Sequence, residues 1–253
     1  DINERRHFKQ MLREFMTNVA HELKTPTGAI ALLAETIADA ADDPDAVRYF
    51  SGRVSKESTR LTEWVRRMMD LQKMPDAGRN LHPKRMSALA VARAAIDANR
   101  VQGEQRHIEM VLAFDGTRLG PEPSDSDPDV PIMCDESAIV TAVKNLVENA
   151  IHYSPEYTTV CVAVDTSEHA VRIRVIDQGI GIPESAIGHI FERFYRVDPA
   201  RSRQTGGSGL GLAITKHCVQ DCGGTISVWS HESEGSTFTI ELPCAEDMAE
   251  QTE

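Results

Sequence analysis

Apolar or small residues recur along the first part of the chain at Phe8, Leu12, Phe15, Val19, Leu23, Pro26, Ile30, Leu33 and Ile37. Steps of three and four draw one stripe down a long helix. The polar run Ala41-Asp42-Asp43-Pro44-Asp45 interrupts it, and a second stripe follows through Val47, Phe50, Val54, Leu61, Trp64 or Val65, Met68 and Leu71. Two long helices joined by a short turn read as a helical hairpin. One hairpin buries a single seam, so stripes this long predict that two hairpins pair into a four-helix bundle, hence a homodimer. Residues 1–74 are expected to form this domain, and the turn-rich, aperiodic stretch at 75–80 a linker.

Beyond the linker the pattern alternates. It predicts a strand from Leu81 to Met86, a helix from Ser87 to about Val101 and a strand from His107 to Phe114, then a Pro-, Asp- and Ser-rich loop from Asp115 to Asp129. Next come a strand at 130–134, a helix at 136–153, strands at 159–166 and 170–177, and an irregular glycine-bearing stretch. A helix at 209–222 and strands at 224–230 and 236–242 complete the pattern. Runs of strands separated by helices indicate an antiparallel or mixed sheet covered by helices on one face, an α+β sandwich over residues 81–243. Residues 244–253 are polar and acidic and read as a loose tail.

Composition narrows the partners. Among 253 residues, 39 acidic against 27 basic give a net charge of -12, which argues against a nucleic-acid binder, since that affinity rests on clustered Lys and Arg. Five cysteines are an odd number at low density, so they are expected to be buried small hydrophobes without disulfides. Cys218 and Cys222 lack a second ligand pair at metal spacing, and no structural zinc is expected. No apolar run of about 18 residues marks a membrane span. The chain opens at Asp1-Ile2-Asn3-Glu4 inside a helical pattern without a cap, as a piece of a longer protein would.

His21 lies two residues from both Val19 and Leu23, roughly 200° around the helix, and so points away from the stripe. Exposure alone describes an ordinary surface histidine. In His21-Glu22-Leu23-Lys24-Thr25-Pro26, however, each neighbour has a chemical use. Neutral imidazole, prevalent above a pKa of ~6.5, is a nitrogen nucleophile that sheds a proton on attacking a phosphoryl group. Glu22 is placed to take that proton. Thr25 shares the face of His21 and is suited to orienting a water for the reverse reaction. Pro26 removes the amide that would bond the Glu22 carbonyl, so the helix is expected to bend there.

Four further segments suit a nucleotide. Asn145 and Asn149 share a helix face and offer amide oxygens to a hard cation. Asp177-Gln178-Gly179-Ile180-Gly181-Ile182-Pro183 places a carboxylate at a strand end, able to accept from an adenine amino group, with glycines that let backbone approach the ring. Gly206-Gly207-Ser208-Gly209-Leu210-Gly211-Leu212 runs into a helix, where bare amides and the helix N-terminus attract phosphate. Gly235-Ser236-Thr237-Phe238 precedes the last strand and alone reads as a hairpin turn.

The hexapeptide at His21, with Phe15 and Asn18 ahead of it, resembles the phosphoacceptor motif F-x-x-x-x-S-H-E-L-+-T-P of sensor histidine kinases, except that Ala20 stands where Ser is usual. The downstream segments resemble, in order, the N box and three glycine boxes of the GHKL ATP-binding fold, and Phe191-Glu192-Arg193-Phe194-Tyr195-Arg196 its F box. The motif wording is closest to the phosphate-responsive kinases of high-GC Gram-positive bacteria. The resemblance implies ATP as phosphoryl donor, His21 as acceptor supported by Glu22 and Thr25, and an aspartate of a response regulator as the next acceptor. It also implies Mg²⁺ on Asn149 and Asn145, and adenine read by Asp177. Gly179, Gly181, Gly207, Gly209 and Gly211 would line the nucleotide, with Tyr153, Ile182, Leu210, Leu212 and Thr237 completing the pocket. Arg193 and Arg196 become candidates for the triphosphate, and about 197–207, with Arg201, Arg203 and Gln204, for an ATP lid. His152 stands where many relatives have Lys, which weakens a phosphate contact there or makes it pH-dependent. An upstream sensor and membrane helices are further implications, the chain itself being the cytoplasmic portion.

The same ATP fold serves gyrase-type, mismatch-repair and chaperone ATPases, which carry a Glu base where this chain has Asn145; an amide cannot act as that base. A dimeric pseudokinase is the other alternative, against which every box is intact.

Overall fold

A computed structural model describes residues 20, 23–72, 82–167, 169–193, 195–197 and 209–245, and the chain divides between Ala77 and Gly78 into two units. The expected linker at 75–80 lies outside the described residues.

In the first unit, helix α1 spans 23–39 and α2 spans Pro44–Gln72, joined by a turn at 40–43. The turn is encoded locally: Asp43 Oδ1 accepts the amides of Asp45 (3.0 Å) and Ala46 (3.1 Å), capping α2, with Pro44 next in a position where its missing N–H is no loss. Pro26 is buried, while Leu23, Ile30, Leu33, Ile37, Val47, Phe50, Val54 and Leu61 are only half-buried. Among the described residues of this unit, none of the aliphatic, aromatic, Met or Cys side chains is fully buried.

The second unit begins with β1 (Lys84–Ser87) and α3 (Ala88–Gln105), followed by β2 (Glu109–Phe114), β3 (Thr117–Arg118), β4 (Pro131–Cys134) and α4 (Glu136–Tyr153). Strands β5 (Thr159–Thr166) and β6 (Ala170–Ile176), the one-turn α5 (Glu184–Ile187), α6 (Gly211–Asp221), β7 (Thr225–His231) and β8 (Gly235–Pro243) complete it. The main sheet is mixed, in the order β3-β2-β5-β6-β8-β7, with β2 and β5 parallel and the other neighbouring pairs among the described residues antiparallel. Strands β1 and β4 form a separate antiparallel pair.

Register explains the core. Val162 opposes Val175, Ile173 opposes Ile240 and Val175 opposes Phe238, so alternate residues of neighbouring strands present one buried face. Ile139, Val143, Leu146 and Val147 of α4 and Val219 of α6 are fully buried, and α4 packs between α3 and α6. The N-terminus of α4 is fixed by Asp135, whose Oδ1 accepts from Ala138 N at 3.1 Å. Bonds from Ser137 and nearby amides hold that carboxyl below its usual range.

Several boundaries differ from expectation. The first strand is Lys84–Ser87 rather than 81–86, because pairing with β4 decides its span, and α3 runs on to Gln105. The loop at 115–129 contains β3 and is gathered by Arg93, which donates to Gly120 O (2.7 Å), Pro121 O (2.8 Å) and Asp127. α6 starts at Gly211, not 209, and the irregular stretch holds α5. Cys244 is not loose: it bridges Ile132, and its amide donates to His169 O at 3.2 Å. All five cysteines are free thiols, with Cys134, Cys218 and Cys222 buried.

Candidate nucleotide site

The site is built on the C-terminal half of α4 and the loop after β6. Asn145, Asn149 and Tyr153 follow at intervals of four and share one face of α4. Asn145 and Asn149 are half-buried and Tyr153 is 43% exposed. Asn145 Nδ2 donates to Gly211 O at 3.4 Å, tying α4 to the start of α6; Thr215 Oγ1 donates to the same carbonyl at 2.9 Å. The Asn149 side chain takes part in no hydrogen bond among the described residues.

Asp177 is 7% exposed. Its Oδ1 accepts both Gly179 N (2.8 Å) and Ser236 N (3.1 Å), while Oδ2 takes part in no hydrogen bond among the described residues. Burial pushes the carboxyl pKa up, and the two amides oppose the shift.

The glycines here are packed tightly against protein atoms. A Cβ on Gly179 would lie 2.7 Å from Asp177 Oδ1 and 2.9 Å from Tyr153 O. On Gly181, at φ +71°, it would collide with the His231 carbonyl. On Gly235, at φ +110°, it would collide with the Asp177 carbonyl. Close approach is thus between protein backbones: the loop interlocks with α4 on one side and the β7–β8 turn on the other. Ser230 completes the lock, its Oγ accepting Ile182 N and donating to Gly235 O, both at 2.9 Å. Ser230 and Ser236 were not legible as site residues; a serine in a strand carries no signal without its partners.

Of the remaining expected residues, Gly209 adopts φ +67° just before α6. Leu210 is buried, and Gly211, Leu212, Ile182 and Thr237 are half-buried. Phe191 packs edge-on against Phe238 with centroids 6.4 Å apart, seating the segment that carries the exposed Arg193 and the half-buried Arg196. His152 has its pKa lowered by burial and by Arg106 and Arg196, with Glu148 opposing. Thr25 is exposed on α1. His21, Glu22, Gly207 and the lid residues Arg201, Arg203 and Gln204 lie outside the described residues.

The donor set suits a hard cation only in part. Two amide oxygens are appropriate first ligands for Mg²⁺, and no group of three His, Cys, Asp or Glu side chains among the described residues could hold a metal. Any ion here would complete its shell from phosphate and water.

Comparison with known proteins matches residues 11–77 to the His Kinase A (phospho-acceptor) domain. Residues 134–246 match the histidine kinase-, DNA gyrase B- and HSP90-like ATPase domain, which makes this an ATP-binding unit. The sensor-like histidine kinase SenX3 of Mycolicibacterium smegmatis is 37% identical over 96% of this chain and 60% of its own length. The phosphate regulon sensor protein PhoR of Haemophilus influenzae is 30% identical over 96% of this chain and 54% of its own. The chain thus spans little more than half the length of these relatives. Among solved structures, histidine kinase ThkA in complex with the response regulator TrrA superposes with a TM-score of 0.65 at 22% identity, covering 97% of this chain and 65% of that one. The chain belongs to the sensor histidine kinases.

Proposed function

We propose that this chain is the kinase portion of a two-component sensor, which binds ATP, phosphorylates its own His21 and passes the phosphoryl group to an aspartate of a response regulator. The observation that carries this is the pairing, in one chain, of a phospho-acceptor domain at 11–77 and an ATPase domain at 134–246. The likeness to SenX3 and PhoR supports a phosphate-responsive, actinobacterial type of sensor.

In this reading Asp177 Oδ2 accepts from the adenine amino group, since Oδ1 is already committed to backbone. Tyr153, Ile182, Leu210, Leu212 and Thr237 line the base, and Gly179, Gly181, Gly207, Gly209 and Gly211 shape the backbone around the nucleotide. Asn149, with Asn145, would hold Mg²⁺, which neutralises charge on the phosphates. Arg193 and Arg196 face the triphosphate under the 197–207 lid. The neutral nitrogen of His21 attacks the γ-phosphorus in line, the bond to the ADP oxygen breaks, and Glu22 receives the imidazole proton. Thr25 assists hydrolysis of the regulator's phosphoaspartate.

A homodimer is supported by the first unit, whose apolar stripes stay half-buried in the single chain. Among the described residues no helix is long and apolar enough to cross a membrane; attachment would come through segments upstream in the longer protein, leaving this portion cytoplasmic.

The test is labelling with γ-labelled ATP and Mg²⁺. Acid-labile, base-stable label is expected on the wild type and absent from His21→Gln, while Asn149→Asp dimerises but stays unlabelled. No label on the wild type would sink the kinase reading.

A further inference from the structure

The last turn of α4 is closed by a side chain from outside the helix. An α-helix leaves its final carbonyls without amide partners. In α4 the Ile151 and His152 carbonyls accept from Arg106 Nη1 at 3.0 and 2.6 Å, and the Ser154 carbonyl accepts from Nη2 at 3.0 Å. The planar guanidinium supplies several donors in a fixed fork, which an ammonium cannot. The one carbonyl of this run not taken by Arg106 is that of Tyr153, which accepts Ile180 N at 3.3 Å and lies against Gly179. Four consecutive carbonyls are therefore shared between Arg106 and the loop that carries Asp177.

Arg106 is itself held. It is the C-cap of α3, and its amide donates to Gly103 O at 3.1 Å. The next residue, His107, stacks on Tyr157 with centroids 5.0 Å apart and rings parallel to 1°, and Tyr157 N donates to His107 O at 3.1 Å. His107 and Tyr157 both adopt positive φ, 52° and 65°, a conformation that persists only where the surroundings over-determine it.

We propose that Arg106 is a positioning residue for the nucleotide pocket: by closing the last turn of α4 it fixes the Tyr153 carbonyl on which the Gly179–Ile180 segment is seated, and so sets nucleotide affinity. This rests on reading the pocket as the ATP site. Arg106 touches no reacting atom, so its loss acts on binding before chemistry.

The experiment uses the full chain and a non-hydrolysable ATP analogue with Mg²⁺. Arg106→Met should raise Kd and the KM for ATP roughly tenfold, with kcat at saturating ATP within about twofold of wild type. Arg106→Lys should recover part of the loss. Arg93→Ala is the matched control, since Arg93 also donates to two carbonyls and a carboxylate, yet should leave Kd unchanged. Amide exchange at Ile180, followed without nucleotide, should quicken in Arg106→Met and not in Arg93→Ala. Wild-type affinity in Arg106→Met, or equal weakening by both variants, overturns the proposal. Should Arg106→Met fail to fold, Arg106→Lys carries the test, and an unchanged Kd there overturns it equally. If the wild type binds no analogue, the ATP reading falls, and Ile180 exchange still decides whether Arg106 seats the loop.

Discussion

Asp177 and Ser236 hold each other through two reciprocal hydrogen bonds: Asp177 N donates to Ser236 O at 2.9 Å, and Ser236 N donates to Asp177 Oδ1 at 3.1 Å. The strand end and the hairpin behind it are thus fixed whether or not the other carboxylate oxygen has a ligand.

Asp177→Asn should therefore separate folding from recognition. Asn retains the accepting Oδ1 but replaces Oδ2 with an amino group that repels the adenine amine. Because burial raises the Asp177 pKa, the folded state holds this proton more firmly than the unfolded state. The charge consequently lowers stability as pH rises through that window. At neutral pH the variant is expected to melt at or above the wild-type temperature and to bind no nucleotide. A lower melting temperature that rises on acidification would contradict this.

Glycines at two places should respond oppositely. Gly181→Ala combines positive φ with a backbone collision and is expected to destabilise the second unit by about 3 kcal/mol or more, with loss of nucleotide binding. Gly52 lies within α2 with nothing near its Cβ position. Gly52→Ala is expected to stabilise by about 0.5–1 kcal/mol. Urea denaturation of each variant measures both.

His152 gives the apo protein a pH dependence of a definite sign. Its folded pKa is depressed, first by burial and then by Arg106, whereas the unfolded side chain takes up a proton near pH ~6.5. Below that pH the unfolded state binds more protons, so stability declines on acidification; at higher pH the effect vanishes. His152→Gln should flatten the melting temperature between about pH 7 and 5.5. An unchanged slope means that other groups cause it.

The half-buried stripe of the first unit predicts self-association. Leu33→Asp, which places a charge in that stripe, is expected to turn a dimer into a monomer in sedimentation equilibrium without loss of nucleotide binding. A monomeric wild type would refute the bundle.

What the sequence reveals depends on how local the determinant is. The helix expected at 136–153 is found at Glu136–Tyr153, because helix faces and their ends are written within a few residues. The roles proposed for His21, Asn145, Asn149 and Asp177 rest on motifs that are local in the same way. The pairing of β1 with β4 and the parallel contact of β2 with β5 were not legible, since each joins segments far apart in sequence. The glycines were legible, but not the protein backbone that Gly181 and Gly235 meet, since a glycine announces close approach and not what approaches. Arg106, 45 residues from the carbonyl of Ile151 that it caps, left no local trace.

Strand order has a consequence for how the chain is made. β8 lies between β6 and β7, yet it is the last of the strands to be synthesised. Until residues 235–243 leave the ribosome, β6 and β7 each present a bare row of amides and carbonyls. A nascent chain, or one truncated before Gly235, exposes two adhesive edges and has no Ser236 to hold Asp177. Truncation before Gly235 should accordingly yield aggregation rather than a weakened domain.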